Sequence, residues 1–330
     1  MKIAVVSLNL TAFDAILERL EKKHTVRFWK ASREDQVRSY VELGRLCEWA
    51  DLIWCEFCQH PVEWVIRMFP MKKIVVTVRR IELYHPIYDM NWAAVDLLIF
   101  SCEHVKRRFY DYLEKRNLMR KTPSNLPQRD YFFQSSIYDG KIFKWVPRSF
   151  DPPYNICIVG HIVPKKRTYT LVQMFADLPD HYRLNILGKH IHKTGYGNPE
   201  YLVNVKDLIE VLGLDERVTF HDWMDRKEVP GFFAEQHIIV CNSNEESRAR
   251  GLAEAMACGV YPLMSHFRGA EELYPMKHIY DTPAGFVDKV LKWENLSSEE
   301  KLEESKNLSK AVSTMVEEAR AYVKEMERIP

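Results

Sequence analysis

Short apolar runs alternate with longer amphipathic stretches along most of the chain. Runs of four to seven apolar residues are typical of strands buried on both faces, and apolar positions repeating every three or four residues indicate helices. The first half contains the runs KIAVVSL, TVRFWKA, DLIWCEF, KKIVVTV and DLLIFSC. Helical stretches such as AFDAILERLEKKH and VRSYVELGRLCEWA separate them. This alternation predicts a parallel sheet with helices on both faces.

The same pattern starts again after residue 150. The second set of runs is NICIVG, YRLNILG, RVTFHDW, HIIVCNS and GVYPLMS. Between the two sets, RSFDPPYN contains the adjacent residues Pro152 and Pro153, which favour a linker. Because 330 residues are enough for two hydrophobic cores, we predict an α/β protein of two doubly wound domains, 1–150 and 151–330, facing a cleft.

The C-terminal segment from Ser297 to Ile329 is rich in charged residues and predicts a helix. It begins with serine, a preferred N-cap, and has acidic residues in its first turn. We expect its last part, from about residue 309 to residue 330, to cross back to the N-terminal domain.

Composition indicates the cellular compartment. No apolar run reaches the 18 or so residues of a membrane-spanning helix, and MKIAVVSL passes into polar residues without a cleavage-like signal region. Seven cysteines are scattered through apolar segments, which does not predict a disulfide framework. We therefore expect a cytoplasmic protein, a prediction that is compatible with peripheral membrane contact.

The net charge of +1 hides an asymmetry. Residues 1–150 contain 25 Lys and Arg against 18 Asp and Glu, a net +7, and the rest of the chain carries −6. The richest part is HVKRRFYDYLEKRNLMRK, residues 104–121, and Arg79 and Arg80 follow directly after a predicted strand. The basic segment predicts either an anionic partner, such as an acidic glycan, a lipid headgroup or nucleic acid, or a solvated helix face.

Three places in the second half are candidates for binding a phosphorylated ligand, because parallel sheets bind ligands at the carboxyl ends of their strands. The first is ICIVGHIVPKKRTYTL, where Gly160 ends a strand and Lys165 and Lys166 precede a helix. Glycine lets the backbone approach a ligand, and lysine supplies positive charge for a diphosphate. On this stretch alone, a turn with solvated lysines is the simpler interpretation.

The second place is LNILGKHIHKTGYG, a strand that ends at Gly188. His190 and His192 follow, but no carboxylate or cysteine lies at metal-ligand spacing, so we predict no metal site there. Cys55 and Cys58 in CEFC are a single pair on an apolar strand, and we interpret both as core residues.

The third place is NEESRARGLAEAMACGVYPLMS, residues 244–265. Folding alone requires neither of its carboxylates Glu246 and Glu254. We expect Glu246 in the loop after a strand and Glu254 about two helical turns further on, which gives a Cα separation of roughly 12 Å for a helical rise. Carboxylates at the two ends of such a segment can accept hydrogen bonds from hydroxyl groups, while the helix N-terminus attracts phosphates.

Taken in order, these segments resemble the retaining glycosyltransferases with the GT-B fold, the group 1 family that includes sucrose synthase and mannosyltransferases. EESRARGLAEAMACGVYPLMS is similar to the family's E-x7-E signature, and IVGHIVPKK to its phosphate loop. The segments LNILGKH, LIEVLGLDERVTFHDWM, HIIVCNSNEE, DLLIFSCEHVKRRF and FKWVPRSFD match in the same order. The resemblance is strong from Ile156 to Glu272 and weak before Asp96.

The resemblance implies two Rossmann-like domains, with the acceptor bound by 1–150 and a nucleotide diphosphate sugar, a UDP-sugar first, bound by 151–330. It implies that Glu246 contacts hydroxyls of the transferred sugar, that Glu254 binds the ribose and that Lys166 binds the diphosphate. It implies catalytic roles for Glu246 and Lys166 and no cofactor or metal. The further donor-binding residues it implies are Gly160, His161, Lys165, Gly188, Ser247 and Arg248.

The chain departs from the family pattern at four places. His161 stands where the family has arginine, so Lys165 or Arg167 is a candidate for the missing diphosphate contact. Ser247, Arg248 and Ala249 stand where the family has glycines. SLNLTAFD replaces a glycine-rich loop, and Arg79 and Arg80 lie near the position of a histidine on the acceptor side.

From the resemblance we expect a retaining, metal-independent transfer of a hexose to an anionic glycan or lipid. Three alternatives remain at this point. Aromatic residues interleaved with basic ones in RDYFFQSSIYDGKIFKW favour a transferase acting on a modified base of nucleic acid. A sugar-nucleotide epimerase would turn over the donor without an acceptor, and a non-catalytic nucleotide-sugar binder would bind it without transfer.

Overall fold

The computed structural model describes most of the chain and divides it into two compact units. Unit 1 is Met1–Ile137 together with Val316–Pro330, and unit 2 is Tyr138–Met315. The residues described are 1–7, 14–29, 36–56, 60–84, 87–120, 126–132, 140–189, 198–247, 249–313 and 316–329.

The described part of unit 1 contains one parallel sheet. Its strands are β1 (Lys2–Ser7), β2 (Thr25–Trp29), β3 (Leu52–Glu56), β4 (Lys73–Val78), β5 (Leu97–Phe100) and β6 (Asp130–Phe132). Their order is β2-β1-β3-β4-β5-β6, and Val5 of β1 pairs with Phe28 of β2 and with Trp54 of β3. The chain order reverses between β1 and β3, which makes their carboxyl ends a topological switch point.

Helices cover this sheet. They are α1 (Asp14–Glu21), α2 (Gln36–Trp49), α3 (His60–Met68), α4 (Glu103–Arg120) and, from the end of the chain, α12 (Val316–Glu327). Short 3₁₀ helices lie at Arg80–Tyr84, Ile87–Asp89 and Trp92–Ala94. Tyr322 and Met326 of α12 are buried in the same cluster as Val5, Trp54 and Val75. The last helix therefore completes the hydrophobic core of unit 1.

A buried hydrogen-bonded chain holds α12 on the sheet. The indole Nε1 of Trp54 donates to Oγ1 of Thr77 at 3.2 Å, and Thr77 Oγ1 lies 2.6 Å from the hydroxyl of Tyr322. Both the tyrosine and the indole are fully buried. Because buried polar groups need partners, the three side chains satisfy one another in a core that excludes water.

Unit 2 repeats the architecture. Its strands are β7 (Tyr154–Val159), β8 (Tyr182–Leu187), β9 (Val218–His221), β10 (Ile238–Cys241), β11 (Tyr261–Ser265) and β12 (Ile279–Tyr280). They form a parallel sheet in the order β12-β11-β10-β7-β8-β9. In register, Ile156 of β7 pairs with Leu184 of β8 on one side and with Ile238 of β10 on the other.

Seven helices are described around this second sheet. They are α5 (Thr168–Ala176), α6 (Tyr201–Val211), α7 (Val229–Ala234), α8 (Arg250–Ala257), α9 (Ala270–Leu273), α10 (Pro283–Glu294) and α11 (Ser298–Ser313), with 3₁₀ helices at Pro164–Lys166 and Met276–His278. Phe175 of α5 and Phe286 of α10 pack with the strand residues Ile156, Leu184 and Val240. This core is separate from that of unit 1.

The boundary between the units differs from the expected one. The sequence places it after residue 150, whereas the contacts place residues 138–150 in unit 2. The reason is the bonding of this segment: Trp145 donates to Ser305 at 3.1 Å, and the guanidinium of Arg148 donates to the main-chain carbonyls of Gln236 and Cys258. The segment before Pro152 and Pro153 is thus part of unit 2.

The charged C-terminal segment is helical over both of its described parts, Ser298–Ser313 and Val316–Glu327. The predicted serine cap is confirmed, because Ser297 and Glu300 form a capping box: Ser297 N donates to Glu300 Oε2 at 2.8 Å and Glu300 N donates to Ser297 Oγ at 3.2 Å. Helix α11 stays on unit 2, where Ser305 donates to the carbonyl of Gly259 at 2.8 Å. Helix α12 belongs to unit 1.

All ten predicted strands are confirmed, and two short ones, β6 and β12, were not predicted. They contain three and two residues and lack the apolar run that identifies the others. Within the described residues, no helix has the length and apolar character needed to cross a membrane. Six cysteines fall in the described ranges, and all six are buried thiols; Cys58 lies outside those ranges.

Removing the hydroxyls that link α12 to β4 should loosen unit 1. We expect Tyr322→Phe and Thr77→Val each to lower the free energy of unfolding by roughly 1–2 kcal/mol, and the double variant to lower it by about 1 kcal/mol less than their sum. Denaturant unfolding followed by tryptophan fluorescence measures this. Thr219→Val, on the exposed face of β9, is the control and should change little. Strictly additive losses would show that the two hydroxyls do not act together.

Candidate functional site

The sheet order of unit 2 brings two distant loops together. Strands β7 and β10 are neighbours, and the chain order reverses between them. Ligands of open parallel sheets bind in the crevice at such a reversal, outside the carboxyl ends of the strands. The loops that leave β7 and β10 here are the sequence-predicted segments beginning at Gly160 and at Asn242.

The turn after β7 is tied to the loop after β10 through the main chain. It runs through a 3₁₀ helix, Pro164–Lys166, and then Arg167 adopts a left-handed conformation with φ of 53° before α5 begins. The side chain of Asn242 donates to the carbonyl of Arg167 at 2.9 Å, and Asn244 N donates to the carbonyl of Lys165 at 3.1 Å. These two bonds hold the backbone that carries Lys165 and Lys166, the two lysines predicted from the sequence as ligand-binding residues.

An ion pair joins the two loops at their side chains. Lys166 Nζ lies 2.5 Å from Glu246 Oε1, and the same oxygen accepts from Ser243 Oγ at 2.7 Å. The two charged side chains retain only 28% and 15% of their exposure. Burial acts to raise the pKa of Glu246, but the charge of Lys166 and the hydrogen bonds from Lys166 and Ser243 bring it below its ordinary value. Glu246 is therefore ionised at neutral pH.

A small cavity lies beside this pair. It has a volume of about 40 Å³ and is lined by the ends of β7 and β10 and the start of α8, including Lys166, Ser243 and Arg250. Pockets for small organic ligands have volumes of roughly 300 Å³ or more, so this cavity alone is the size of a single small group. It marks the point where the lysine, the carboxylate loop and a helix N-terminus converge.

Glu254 occupies a different environment. Its Oε1 accepts from Arg250 Nε at 2.9 Å and from Arg226 Nη2 at 3.4 Å, and its side chain is 13% exposed. Burial raises the pKa of Glu254 above its ordinary value, although both arginines act to lower it. The two carboxylates of the motif thus have pKa values shifted in opposite directions, which suits them to different roles.

The expected helical spacing of the motif is only partly correct. Helix α8 begins at Arg250, so Glu254 lies little more than one turn into it instead of two, and Glu246 lies four residues before it. Ala249, at the N-cap, has a left-handed φ of 47°, so the helix does not extend back through this residue towards Glu246. The separation of roughly 12 Å expected from helical rise therefore does not apply.

The loops after β7 and β8 approach each other closely at Gly188. A Cβ at this position would lie 1.8 Å from the carbonyl oxygen of Gly160, and the backbone φ of 152° is one that other residues rarely adopt. Gly160 N also donates to the carbonyl of Leu187 at 3.0 Å. Only glycine fits here, so both predicted glycines shape the same edge of the sheet.

His161 is exposed and stacks on Trp223. The ring centroids are 5.9 Å apart with planes at 13°, and Trp223 follows β9. The histidine at the family's arginine position therefore has an aromatic partner in unit 2. Ser247 is half-buried in the loop that precedes α8. Arg248, His190 and His192 lie outside the described residues.

In unit 1, Arg79 and Arg80 follow β4 but differ in environment. Arg79 Nε donates to Glu56 Oε1 at 3.1 Å, and Arg79 N donates to Glu82 Oε2 at 2.6 Å. The side chain of Arg79 is 24% exposed, whereas Arg80 is only 3% exposed. A ligand at this edge of the sheet can therefore reach Arg79, and the expectation that both arginines face it is not supported by their burial.

Glu82 is fully buried next to the Glu56–Arg79 pair. Burial, together with the negative charge of Glu56, raises the pKa of Glu82 to about 8, although its bond from the Arg79 backbone and the Arg79 charge act to lower it. This carboxyl group is thus mainly protonated at neutral pH, next to the Glu56–Arg79 pair.

Several residues of these two sites were not predicted. Arg250 is four residues from Glu254, a spacing that signals an ion pair on a helix. Arg226 comes from another segment and has no such signal. Glu56 is a charged residue at the carboxyl end of a buried apolar strand. This position could have identified it from the sequence as a candidate site residue. Ser243 carries no distinguishing pattern.

Glu82→Gln should stabilise the protein in a pH-dependent way. The folded protein keeps the proton of Glu82 up to about pH 8, whereas the unfolded chain loses it near the ordinary value of 4.5. Stability in the parent therefore falls as pH rises from about 4.5 to 8, and the neutral glutamine removes this loss. We expect a gain of up to about 5 kcal/mol above pH 8, at about 1.4 kcal/mol per unit of pKa shift, and little gain below pH 4.5. Thermal unfolding across pH measures it, with exposed Glu114→Gln as control; parallel curves for parent and Glu82→Gln would contradict the assignment.

Comparison with known proteins identifies the family and the fold of this chain. The family model described as glycosyl transferases group 1 matches residues 140–318. A search of curated proteins finds no significant sequence match. Among solved structures, HepE from Anabaena, in complex with UDP and glucose, is 14% identical with a TM-score of 0.74, covering 99% of this chain and 100% of that one.

Two other structures are similar over the whole chain. Sucrose-phosphate synthase from Thermosynechococcus elongatus is 15% identical with a TM-score of 0.75, covering 99% of this chain and 98% of that one. Trehalose-6-phosphate synthase OtsA is 12% identical with a TM-score of 0.75 and full coverage of both chains. At these identities the likeness shows the fold, which is GT-B with two doubly wound, Rossmann-like units. Because the family model also covers more than half of the sequence, the chain belongs to the group 1 family of glycosyl transferases and is a glycosyltransferase that uses nucleotide sugars.

Proposed function

We propose that the protein transfers a hexose from a nucleoside diphosphate sugar, with UDP-sugars as the first candidates, to an anionic glycan or lipid, with retention at the anomeric carbon and without a metal. The observation that carries the proposal is the Lys166–Glu246 pair at the switch point of unit 2. The pair consists of a cation and an ionised carboxylate, and it lies at the position where open parallel sheets generally bind their ligands.

Lys166 is the proposed partner of the departing diphosphate. As the glycosidic bond to the nucleotide breaks, negative charge develops on the phosphate oxygens, and a fixed ammonium group stabilises it. An ammonium group has three N–H donors, so one lysine can bridge a carboxylate and a phosphate. The bonds from Asn242 and Asn244 to the turn hold the lysine in place before the donor binds.

Glu246 is the proposed partner of the transferred sugar. Its ionised carboxylate can accept hydrogen bonds from sugar hydroxyls and can stabilise the positive charge that develops on an oxocarbenium-like sugar. The hydrogen bond from Ser243 and the pair with Lys166 keep Glu246 ionised although it is mostly buried. In this role it orients the sugar while the diphosphate leaves.

Glu254 is the proposed ribose ligand. Both arginine contacts are made through Oε1, so hydroxyl groups of a ribose can be bound by Oε2. Gly160, His161, Lys165, Gly188, Ser247 and Arg248 complete the proposed donor site. UDP is the first candidate nucleotide because HepE, a structurally similar protein, is solved in complex with UDP-glucose.

Metal independence follows from the proposed chemistry. The positive charge that a metal would supply to a diphosphate comes here from Lys166, from the neighbouring Lys165 and from the N-terminus of α8. No cofactor is needed for a transfer in which the nucleotide itself is the leaving group.

The proposed acceptor side is the edge of unit 1 at Arg79. The nucleic-acid alternative is not favoured, because much of the basic charge of α4 is neutralised within the unit: Lys106 pairs with Asp130, Arg107 with Glu103 and Arg116 with Asp89. Nucleic acid is bound by cations that are available to neutralise successive phosphates. The epimerase and the non-catalytic binder are not favoured by membership of a transferase family.

A donor screen tests the proposal. We expect UDP-glucose or UDP-galactose at 100 times its dissociation constant to stabilise the protein by about 2.7 kcal/mol in thermal unfolding, in buffer containing EDTA. We also expect NMR of the product from an accepting glycan to show the anomeric configuration of the donor. Stabilisation only after a divalent cation is added would contradict metal independence, and an inverted product would contradict retention.

Variants of the three charged residues should separate their roles. Glu254→Gln is expected to weaken UDP binding about tenfold or more, since hydrogen bonds to charged groups contribute roughly 1.5–3 kcal/mol. Glu246→Gln should leave UDP binding nearly unchanged and lower kcat about tenfold or more. Lys166→Ala should weaken the binding of both UDP and UDP-sugar.

Calorimetry with UDP and steady-state kinetics measure these effects. The exposed Lys292, paired with Asp288 on α10, provides the control variant Lys292→Ala, which should behave like the parent. Normal UDP binding and normal turnover in all three site variants would show that the donor site lies elsewhere.

A further inference from the structure

The cations of α4 are of two kinds. Lys106, Arg107 and Arg116 each face a carboxylate, at 2.5 Å from Asp130 for the lysine and at 3.6 Å from Glu103 for Arg107. Arg108 differs from them, because none of the carboxylates within the described ranges forms an ion pair with it. Its contacts are with aromatic side chains.

Arg108 lies between two tyrosines. Its guanidinium carbon is 5.5 Å from the ring centroid of Tyr84 and 5.7 Å from that of Tyr112. Burial acts to lower the pKa of Arg108, but its interactions with the two phenol groups raise it above the ordinary value. Tyr84 is 60% exposed and Tyr112 is 44% exposed. We call these three residues, Tyr84, Arg108 and Tyr112, the tyrosine–arginine ledge.

The ledge has the chemistry of a site for an acidic sugar. A guanidinium group held by neutral partners keeps its positive charge uncompensated and can bind a carboxylate or sulfate with two parallel hydrogen bonds. Exposed tyrosine rings offer flat apolar faces with a polar tip, which can pack against the C–H face of a pyranose ring while the hydroxyl bonds to the sugar. Lys115 Nζ also lies 6.0 Å from the ring centroid of Tyr112, so two cations flank this ring, and Arg108 is the one that contacts both tyrosines.

The position of the ledge connects it to the proposed acceptor side. Tyr84 is the last residue of the 3₁₀ helix Arg80–Tyr84, which starts directly after Arg79 at the end of β4. With a rise of about 2 Å per residue, this helix carries Tyr84 roughly 8 Å along the surface of unit 1 from Arg80. An acceptor longer than one sugar could therefore contact Arg79 and the ledge together.

We propose that Tyr84, Arg108 and Tyr112 form a subsite of unit 1 that binds an anionic sugar unit of the acceptor, away from the hydroxyl that is glycosylated. This inference rests on the proposed glycosyl transfer and adds to it the class of acceptor: an acidic oligosaccharide. A lipid headgroup that bears only phosphates would leave the two tyrosine faces unused. Nucleic-acid bases can stack on such faces, and the oligothymidylate in the test below distinguishes that occupant.

The test uses a hyaluronan tetrasaccharide, which contains glucuronate, as the acidic probe, with neutral chitotetraose and a ten-nucleotide oligothymidylate for comparison. We expect calorimetry to show that the parent binds the acidic tetrasaccharide at least fivefold more tightly than the other two. Arg108→Gln should weaken that binding about tenfold, the loss expected for one charge-assisted hydrogen bond. Tyr84→Ala with Tyr112→Ala should weaken it at least as much.

Arg107→Gln is the matched control, since Arg107 is the adjacent cation on the same helix but already faces Glu103. It should change binding less than twofold. Because the ledge tyrosines are exposed, the variants should keep the parent's thermal unfolding, and that measurement confirms that they are folded.

Three results would overturn the subsite: no binding of the acidic tetrasaccharide by the parent, tighter binding of the oligothymidylate, or equal losses in Arg107→Gln and Arg108→Gln. Stabilisation of the same variants by UDP-glucose is measured in parallel. If the parent binds UDP-glucose and the ledge variants bind the acidic tetrasaccharide as tightly as the parent does, the proposed subsite is wrong and the proposed transfer is unaffected. If the parent binds the acidic tetrasaccharide at the ledge but no nucleotide sugar, the proposed donor use fails instead.

Discussion

The ion pair between Lys166 and Glu246 is the contact on which the donor-side arrangement depends. Its two residues are 80 positions apart in the sequence. Their charged atoms lie 2.5 Å apart because β7 and β10, the strands that precede them, are neighbours in the sheet. Both are mostly withdrawn from water, so removing either one would leave an uncompensated charge at the edge of the sheet. The bonds of Asn242 and Asn244 to the turn serve the same arrangement, because they set the path of the backbone that carries the lysine.

Both units bury glutamate side chains at the carboxyl edge of the sheet, but the protonation states of these glutamates differ. At the edge of unit 2, a buried glutamate is ionised because a lysine faces it directly. At the edge of unit 1, Glu56 and Glu82 both accept hydrogen bonds from Arg79, and burial keeps the carboxyl group of Glu82 protonated. At each edge a partly accessible cation, Lys166 or Arg79, pairs with a buried carboxylate, Glu246 or Glu56. The two folds are alike. The charge at each edge depends on which of its carboxyl groups form a direct ion pair with a lysine or an arginine.

The fold could be predicted from the sequence more completely than the site. Ten strands carry enough apolar residues to identify them, whereas β6 and β12 are short and are defined only by their neighbours in the sheet. The motif around Glu246 and Glu254 has a recognisable spacing, but its geometry depends on the left-handed Ala249 and on where α8 begins, which no pattern of residue types specifies. Arg226 and Glu82 acquire their importance from tertiary contacts. The net charge of the first half also misleads, because Asp89, Glu103 and Asp130 neutralise cations that the sequence counts as available.

The return of α12 to unit 1 has a consequence for the order in which the chain can fold. Unit 2 is encoded entirely between the two parts of unit 1, so all of its strands and helices have been synthesised before Tyr322 and Met326 exist. At 5–20 residues per second, the ribosome needs roughly 10–40 s to pass from residue 137 to residue 322. During that interval the face of the first sheet that contains Val5, Trp54 and Val75 has no α12 to cover it. The domain that begins the chain is thus the last to be closed, and the domain that follows can be complete before it.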